Sequence, residues 1–90
     1  MNRPEAYQII SAALEQYRSL GFDALSERVG TKDRDEVLAP SGVRYTLDVS
    51  IAWADPERRG VVVQGRIDDQ NTFHSVPLEE KVHVSNAVDK

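Results

Sequence analysis

The residues best suited to metal chemistry in this chain are two adjacent aspartates and a nearby histidine. Asp68, Asp69 and His74 could supply carboxylate and imidazole ligands to a divalent cation. Their spacing matches no compact ligand motif, and aspartates recur in turns between strands because their side chains bond the local backbone. The other histidine, His83, is expected to be exposed. We therefore predict no metal site and no cofactor.

The sequence also lacks the patterns that activate a nucleophile or hold a phosphate group. The chain contains no cysteine. No serine lies in a strand–turn–helix nucleophile motif, and there is no glycine-rich phosphate loop. We assign no catalytic residues. If the domain is an enzyme, its catalytic groups must come from scattered positions.

Two arginines beside the single tryptophan are the best candidates for contacting a partner. Arg58 and Arg59 lie in a predicted loop shortly after Trp53. Arginine and tryptophan are the types that most often dominate the binding energy of interfaces. Trp53 is also in phase with the core side of its strand, so burial is the alternative interpretation. We predict Trp53, Arg58 and Arg59 as a binding site.

Alternating charges on the other side of the predicted sheet are the second polar feature. They form a checkerboard of Arg44, Asp48, Arg66 and Asp68. One interpretation is a polar binding surface or an acid–base site. The simpler one is a solvated face with cross-strand ion pairs, each worth less than ~1 kcal/mol.

Two helices are predicted to precede the strands. The first spans residues 3–19, with Asn2 as its cap and Glu5 at the spacing of a capping box. Its apolar residues recur three and four positions apart on one stripe: Ala6, Ile9, Ile10, Ala13, Leu14 and Tyr17. A short second helix is expected to begin after Asp23 as its cap and to end at Gly30.

Strict alternation of apolar and polar residues from 43 to 53 is the strongest pattern in the sequence. It predicts a strand with one buried face, whose inward residues are Val43, Tyr45, Leu47, Val49, Ile51 and Trp53. The preceding Pro40-Ser41-Gly42 is typical of a type I turn followed by a left-handed glycine. That turn pairs Val37 with Tyr45, and we place the start of the first strand near Glu36.

The third strand is predicted over residues 60–68, with Trp53 opposite Val61 and Asp48 opposite Arg66. A slip of one residue would mix the apolar and polar faces, so this register is strongly preferred.

The last third of the chain carries weaker patterns. Residues 68–71 are predicted as a polar turn and residues 72–76 as a fourth strand. Residues 81–85 alternate again and could add a fifth strand. The fold class is therefore α+β: an N-terminal helix and a short second helix packed on one face of a four- or five-stranded antiparallel meander. We expect a single domain over residues 1–85 and a flexible tail over 86–90.

Composition narrows the class of protein. Ninety residues, 40% of them apolar, suit one globular domain. The absence of cysteine and of a signal-like apolar segment favours the cytoplasm. A net charge of −4 makes nucleic acid an improbable partner, and no apolar run is long enough to span a membrane.

One resemblance covers most of residues 5–77. The chain resembles a small bacterial domain family with a helix, a P-S-G turn, an alternating strand ending in tryptophan and a G-x-I-D-D hairpin. The residues that carry it are Pro40, Ser41, Gly42, Tyr45, Val49, Trp53, Gly65, Ile67, Asp68 and Asp69. Gln70 and Asn71 stand where similar members often have glycines, so a different turn type is expected there. The resemblance implies the fold and no activity.

Two functional hypotheses follow. The first is a non-enzymatic domain that binds a protein partner or a second copy of itself, the latter by way of an exposed edge strand. The alternative is a small-molecule-binding or hydrolytic domain with a pocket between helix and sheet, near Tyr7, Tyr17, Tyr45 and Asp48. A cavity of about 300 Å³ or more at that place would favour the alternative.

Overall fold

The computed structural model describes residues 2–69 and 76–86, which form two helices and four strands. In chain order these are α1 (Arg3–Ser19), α2 (Gly21–Ser26), β1 (Lys32–Leu38), β2 (Arg44–Trp53), β3 (Gly60–Asp69) and β4 (Leu78–Ser85). The strands make one antiparallel sheet in the order β1-β2-β3-β4. The helices pack on one face of it. The predicted α+β meander is confirmed.

The first helix has the predicted bounds and cap. The side chain of Asn2 accepts a hydrogen bond from the Glu5 backbone N–H at 3.2 Å. The predicted cap of the second helix is wrong, because Asp23 lies inside the first turn of α2. Gly21 adopts a φ of 86°, which only glycine adopts readily, so the chain turns there and α2 begins at once.

The β1–β2 hairpin has the predicted register and turn. Val37 lies opposite Tyr45, and Gly42 has a φ of 92° and donates to the carbonyl of Ala39 at 2.8 Å. The first strand does not start near Glu36: pairing continues back to Lys32. β1 lies at the edge of the sheet, where side chains on both faces can reach water, so its charged residues form a strand without an apolar pattern.

The β2–β3 pairing confirms Trp53 opposite Val61 and Asp48 opposite Arg66. β3 continues to Asp69, so the predicted turn does not begin at residue 68.

The described fourth strand is Leu78–Ser85, and it includes the segment predicted as a fifth. Residues 72–75 of the predicted fourth strand lie outside the described residues, and Val76 is not in a strand. Pro77 directly precedes β4, so its missing backbone N–H removes no hydrogen bond between that strand and β3.

The core lies between the helices and the inner face of the sheet. Its buried apolar residues are Ala6, Ile10, Leu14, Leu25, Ala39, Tyr45, Leu47, Val49, Ile51, Val61, Val63 and Ile67. α1 lies over β3 and β4, and β1 is at the far side of the sheet. Neither helix in the described part of the chain is long and apolar enough to cross a bilayer.

Candidate functional site

A groove of about 410 Å³ lies on the outer face of the sheet, opposite the helices. The strand registers place two cross-strand rows along it. We call the first the mixed row: Arg34, Asp48, Arg66 and Glu79. We call the next the donor row: Lys32, Ser50 and Gln64, which line the groove, and Lys81, which continues the row on β4. Lysine ammonium, serine hydroxyl and glutamine amide groups all donate hydrogen bonds, and the donor row contains no carboxylate.

One ion pair orders the mixed row. Arg34 contacts Asp48 through Nε–Oδ1 at 2.7 Å and Nη2–Oδ2 at 3.3 Å. The hydrogen bond from Arg34 holds the pKa of Asp48 below its ordinary value, against partial desolvation, and the charges of Arg34, Arg66 and Lys32 add to this effect. The Arg34 side chain is 74% exposed, so the pair contributes little to stability. Three cations therefore surround one carboxylate.

The predicted checkerboard reaches this groove only in part. Asp48 and Arg66 line it, as neighbours across β2 and β3. Arg44 lies opposite Leu38 at the start of β2, and Asp68 lies opposite Thr46. The other lining residues come largely from β1 and β4, strands whose bounds the sequence pattern did not locate.

The predicted site at Trp53, Arg58 and Arg59 forms a compact loop. The Arg58 guanidinium carbon lies 5.4 Å from the centroid of the Trp53 ring, and the Phe22 ring centroid is 6.3 Å from that of Trp53. Arg58 has a φ of 62°, uncommon for a residue with a side chain. The loop thus holds Trp53 half-buried between an aromatic ring and a cation.

Carboxylates within the same loop engage its second arginine. The Arg59 N–H donates to Asp55 Oδ1 at 2.8 Å, and its guanidinium lies 3.4 Å from Asp55 Oδ2 and 3.6 Å from Glu57. Arg59 is therefore partly neutralised, whereas Arg58 has no ion pair with any described residue. The interface role of these residues stays a prediction.

A second groove, of about 300 Å³, lies between α1 and the β1 side of the sheet. It has the minimum size expected for the alternative hypothesis. Of the four polar residues predicted near such a pocket, only Tyr17 lines it. The Tyr17 hydroxyl donates to Asp33 Oδ2 at 3.0 Å, and burial raises its pKa.

The other three residues lie elsewhere. Tyr7 is half-exposed on α1, Asp48 belongs to the outer groove, and Tyr45 is fully buried. The small-molecule or hydrolytic hypothesis is therefore left with Tyr17 alone among the residues that the sequence suggested.

Tyr45 belongs to a polar cluster that joins the helix layer to the sheet. Its hydroxyl donates to Glu5 Oε1 at 2.9 Å, and the Ser41 hydroxyl donates to the same oxygen at 2.7 Å. The bond from Ser41 is the main reason that the pKa of Glu5 is lowered. Burial, followed by the bond to Glu5, raises the pKa of Tyr45 to about 12. Every hydroxyl in this cluster is used to hold the fold.

The aspartates considered as metal ligands cannot cooperate. Asp68 and Asp69 are successive residues of β3, so their side chains leave opposite faces of the sheet. Asp69 is buried and lies opposite Tyr45. His74 falls outside the described residues, and His83 is exposed on β4. Within residues 2–69 and 76–86, no three histidine or carboxylate groups lie together as a metal site would require.

The outer groove therefore combines a concave surface with an organised set of polar groups. The helices leave it uncovered, and four strands contribute to it. Comparisons of this chain with protein-family models, curated proteins and solved structures find no match. Its function is accordingly inferred from its surfaces.

Proposed function

We propose that this chain is a non-enzymatic protein-binding domain whose outer sheet face binds an acidic segment of a partner protein. The observation that carries the proposal is the donor row, which runs across the outer face of the sheet with a cation at each end and hydroxyl and amide donors between them. Charged hydrogen bonds to carboxylates are the strongest that such groups make.

The position of the groove supports this proposal. Both helices pack on the inner face, so the outer face is open to a partner of any length. The residues that rise from it are anchored on paired strands and not on loops, which keeps their spacing constant when a partner binds. A preorganised surface loses less conformational entropy on binding than a flexible one does.

Charge supports an acidic partner in particular. The outer-face residues of the two rows comprise four cations and two carboxylates, on a chain whose net charge is −4. Asp48 is already bonded to Arg34. Lys32 and Arg66 make no ion pair with any described residue. A carboxylate placed over Ser50 and Gln64 would lie between these two unpaired cations.

The donor row can be tested by charge reversal. The double variant Lys32→Glu/Lys81→Glu should weaken binding of a fluorescent hexaglutamate peptide by at least about tenfold. The expected size follows because charged hydrogen bonds contribute roughly 1.5–3 kcal/mol each and tenfold corresponds to about 1.4 kcal/mol. Binding is measured by fluorescence anisotropy at low ionic strength, and NMR shifts should concentrate on the outer face of β2 and β3.

The chain offers a matched control. Arg58→Glu/Arg59→Glu changes the net charge by the same amount but acts on the loop beside Trp53. Equal loss in both double variants would mean that only net charge matters and would contradict the proposal. A selective loss in the loop variant would instead move the binding site to Trp53, Arg58 and Arg59.

Protein binding itself needs a second measurement. A photoreactive residue at Gln64 should cross-link a protein in native cells, whereas the same residue at exposed Gln8 on α1 should not. The cross-link should disappear in the Lys32→Glu/Lys81→Glu variant. Cross-linking from both positions, or from neither, would argue against a partner on this face.

A further inference from the structure

We propose that β1 accepts a strand from a different protein and rejects a second copy of this chain. The surface concerned is the open edge of β1. Lys32 of that strand also ends the donor row, but the proposal does not depend on the function of that row. β1 is the first strand in the sheet order, so no described strand lies on its outer side. Unpaired N–H and C=O groups at such an edge can pair with an added strand.

Self-pairing of β1 is opposed by its charges. In a symmetric dimer that continues the antiparallel sheet, the two-fold axis passes between the two copies of one residue, which lie opposite each other. The register is centred on that residue, and a residue before it in one copy pairs with the residue equally far after it in the other copy. Three registers use five or more of the seven residues of β1. Centring on Arg34 opposes two arginines, centring on Asp35 opposes two aspartates, and centring on Glu36 opposes two glutamates. Like charges directly opposite each other destabilise a sheet.

The register centred on Asp35 is the informative one. It also places Arg34 opposite Glu36 of the second copy, twice, so its outer face is complementary. The repulsion between the two Asp35 carboxylates is the one electrostatic term that opposes this register. Asp35 therefore acts as the residue that keeps two edges of this chain apart, which is a known use of charge on edge strands.

The same charges specify the strand that would fit. Asp33 and Asp35 project to the inner face, where their neighbours on β2 are the apolar Val49 and Leu47. Asp33 accepts a hydrogen bond from the Tyr17 hydroxyl, but no cation on β2 lies opposite either carboxylate. An added strand would therefore carry lysine or arginine at two alternate positions facing Asp33 and Asp35. Between them, an acidic residue would face Arg34 on the outer side.

The groove between α1 and β1 gives long basic side chains room. Its floor contains Leu47 and Val49, and Asp35 lies on its rim with Arg28. A lysine opposite Asp35 can lay its aliphatic stem toward this apolar floor and keep its ammonium group at the carboxylate. Basic residues are thus favoured over neutral ones at these two positions.

The test uses two strand peptides of equal length, one with the core Lys-Glu-Lys and one with Glu-Lys-Glu, each flanked by alternating threonine and valine. The wild-type domain should bind the first at least tenfold more tightly, with NMR shifts along β1. The variant Asp33→Lys/Asp35→Lys should reverse that preference. Unchanged preference in the swapped variant, or shifts away from β1, would overturn the proposal.

Self-association is tested separately by sedimentation. The wild-type chain should show no dimer formed through β1, and Asp35→Val should dimerise as concentration rises. The double variant Arg34→Glu/Asp35→Val should not form that dimer, because residue 34 of each copy would then place a negative charge opposite Glu36 of the other copy. A wild-type dimer that cross-links through β1, or an Asp35→Val variant that stays monomeric, would contradict the inference.

Discussion

Replacing Gly65 with alanine is expected to lower the free energy of unfolding by about 1–3 kcal/mol, the usual cost of overpacking a core. Gly65 lies in β3 directly beneath α1. A Cβ atom there would approach Cδ1 and Cγ1 of Ile10 to 3.0 Å and Cδ2 of Leu14 to 3.3 Å. Both side chains are buried, so they can give way only by pressing on the core residues around them. The small entropic advantage of alanine over glycine offsets only part of this cost.

Gly60 provides the control, because it lies in the same strand. A Cβ atom at Gly60 would come within 2.9 Å of the His83 ring, but that side chain is exposed and can rotate away. Gly60→Ala should therefore cost much less than Gly65→Ala in chemical denaturation.

A double variant tests the cause of the loss at Gly65. Ile10→Val removes the Cδ1 atom that the new methyl group meets, so Gly65→Ala/Ile10→Val should be less destabilised than the sum of the single variants. Equal stability of Gly65→Ala and Gly60→Ala would contradict the close packing of α1 on β3 at Gly65.

Replacing Tyr45 with phenylalanine is expected to lower stability by about 1–2 kcal/mol at neutral pH and to remove an alkaline transition. At neutral pH the variant loses the hydrogen bond from Tyr45 to the Glu5 carboxylate. The cost is moderate because Glu5 still accepts a hydrogen bond from Ser41. The alkaline effect follows from burial, which raises the pKa of Tyr45 from 10.0 to about 12.

The sign of the alkaline effect follows from proton linkage. Between pH 10 and 12 the folded protein keeps the Tyr45 proton and the unfolded chain loses it. The stabilisation due to the neutral phenol is therefore complete below pH 10 and is lost as pH rises toward 12. Chemical denaturation at a series of pH values should show this decline in the wild type and a flatter profile in Tyr45→Phe.

Tyrosinate absorbance gives an independent check of the same prediction. One tyrosine of the folded wild type should ionise near pH 12, and that step should be missing in Tyr45→Phe. Half-exposed Tyr7 is the control position, and Tyr7→Phe should keep the late step. A Tyr45→Phe variant with an unchanged alkaline profile would show that Tyr45 is not buried against Glu5.

Local patterns in the sequence determined the parts of the fold that have one apolar and one polar face. The alternation through β2 and β3 predicted their register, because a slip of one residue would bury charges and expose valines. The turn at residues 40–42 was predictable for a similar reason, since its glycine needs a left-handed conformation. These features depend on neighbours in the chain and on nothing more distant.

Other features required the tertiary structure. Glu5 has the spacing of a capping box, yet its carboxylate bonds Ser41 and Tyr45, which approach it only after the hairpin packs beside α1. The start of β1 was not predictable, because an edge strand can be charged on both faces. The sequence likewise suggested Asp48 and Arg66 for the outer groove but not Lys32, Arg34 or Glu79.

The physical reason is the distance in sequence between the residues that meet. Each cross-strand row takes one side chain from each of four strands, and the two outermost strands, β1 and β4, have the weakest patterns. Alternation predicted the polar neighbours across β2 and β3, including Asp48 and Arg66, but the patterns of β1 and β4 were too weak to place their polar residues. The pairing of β1 with β2 placed Lys32 opposite Ser50, so that Lys32 and Arg66 lie on either side of Ser50 and Gln64.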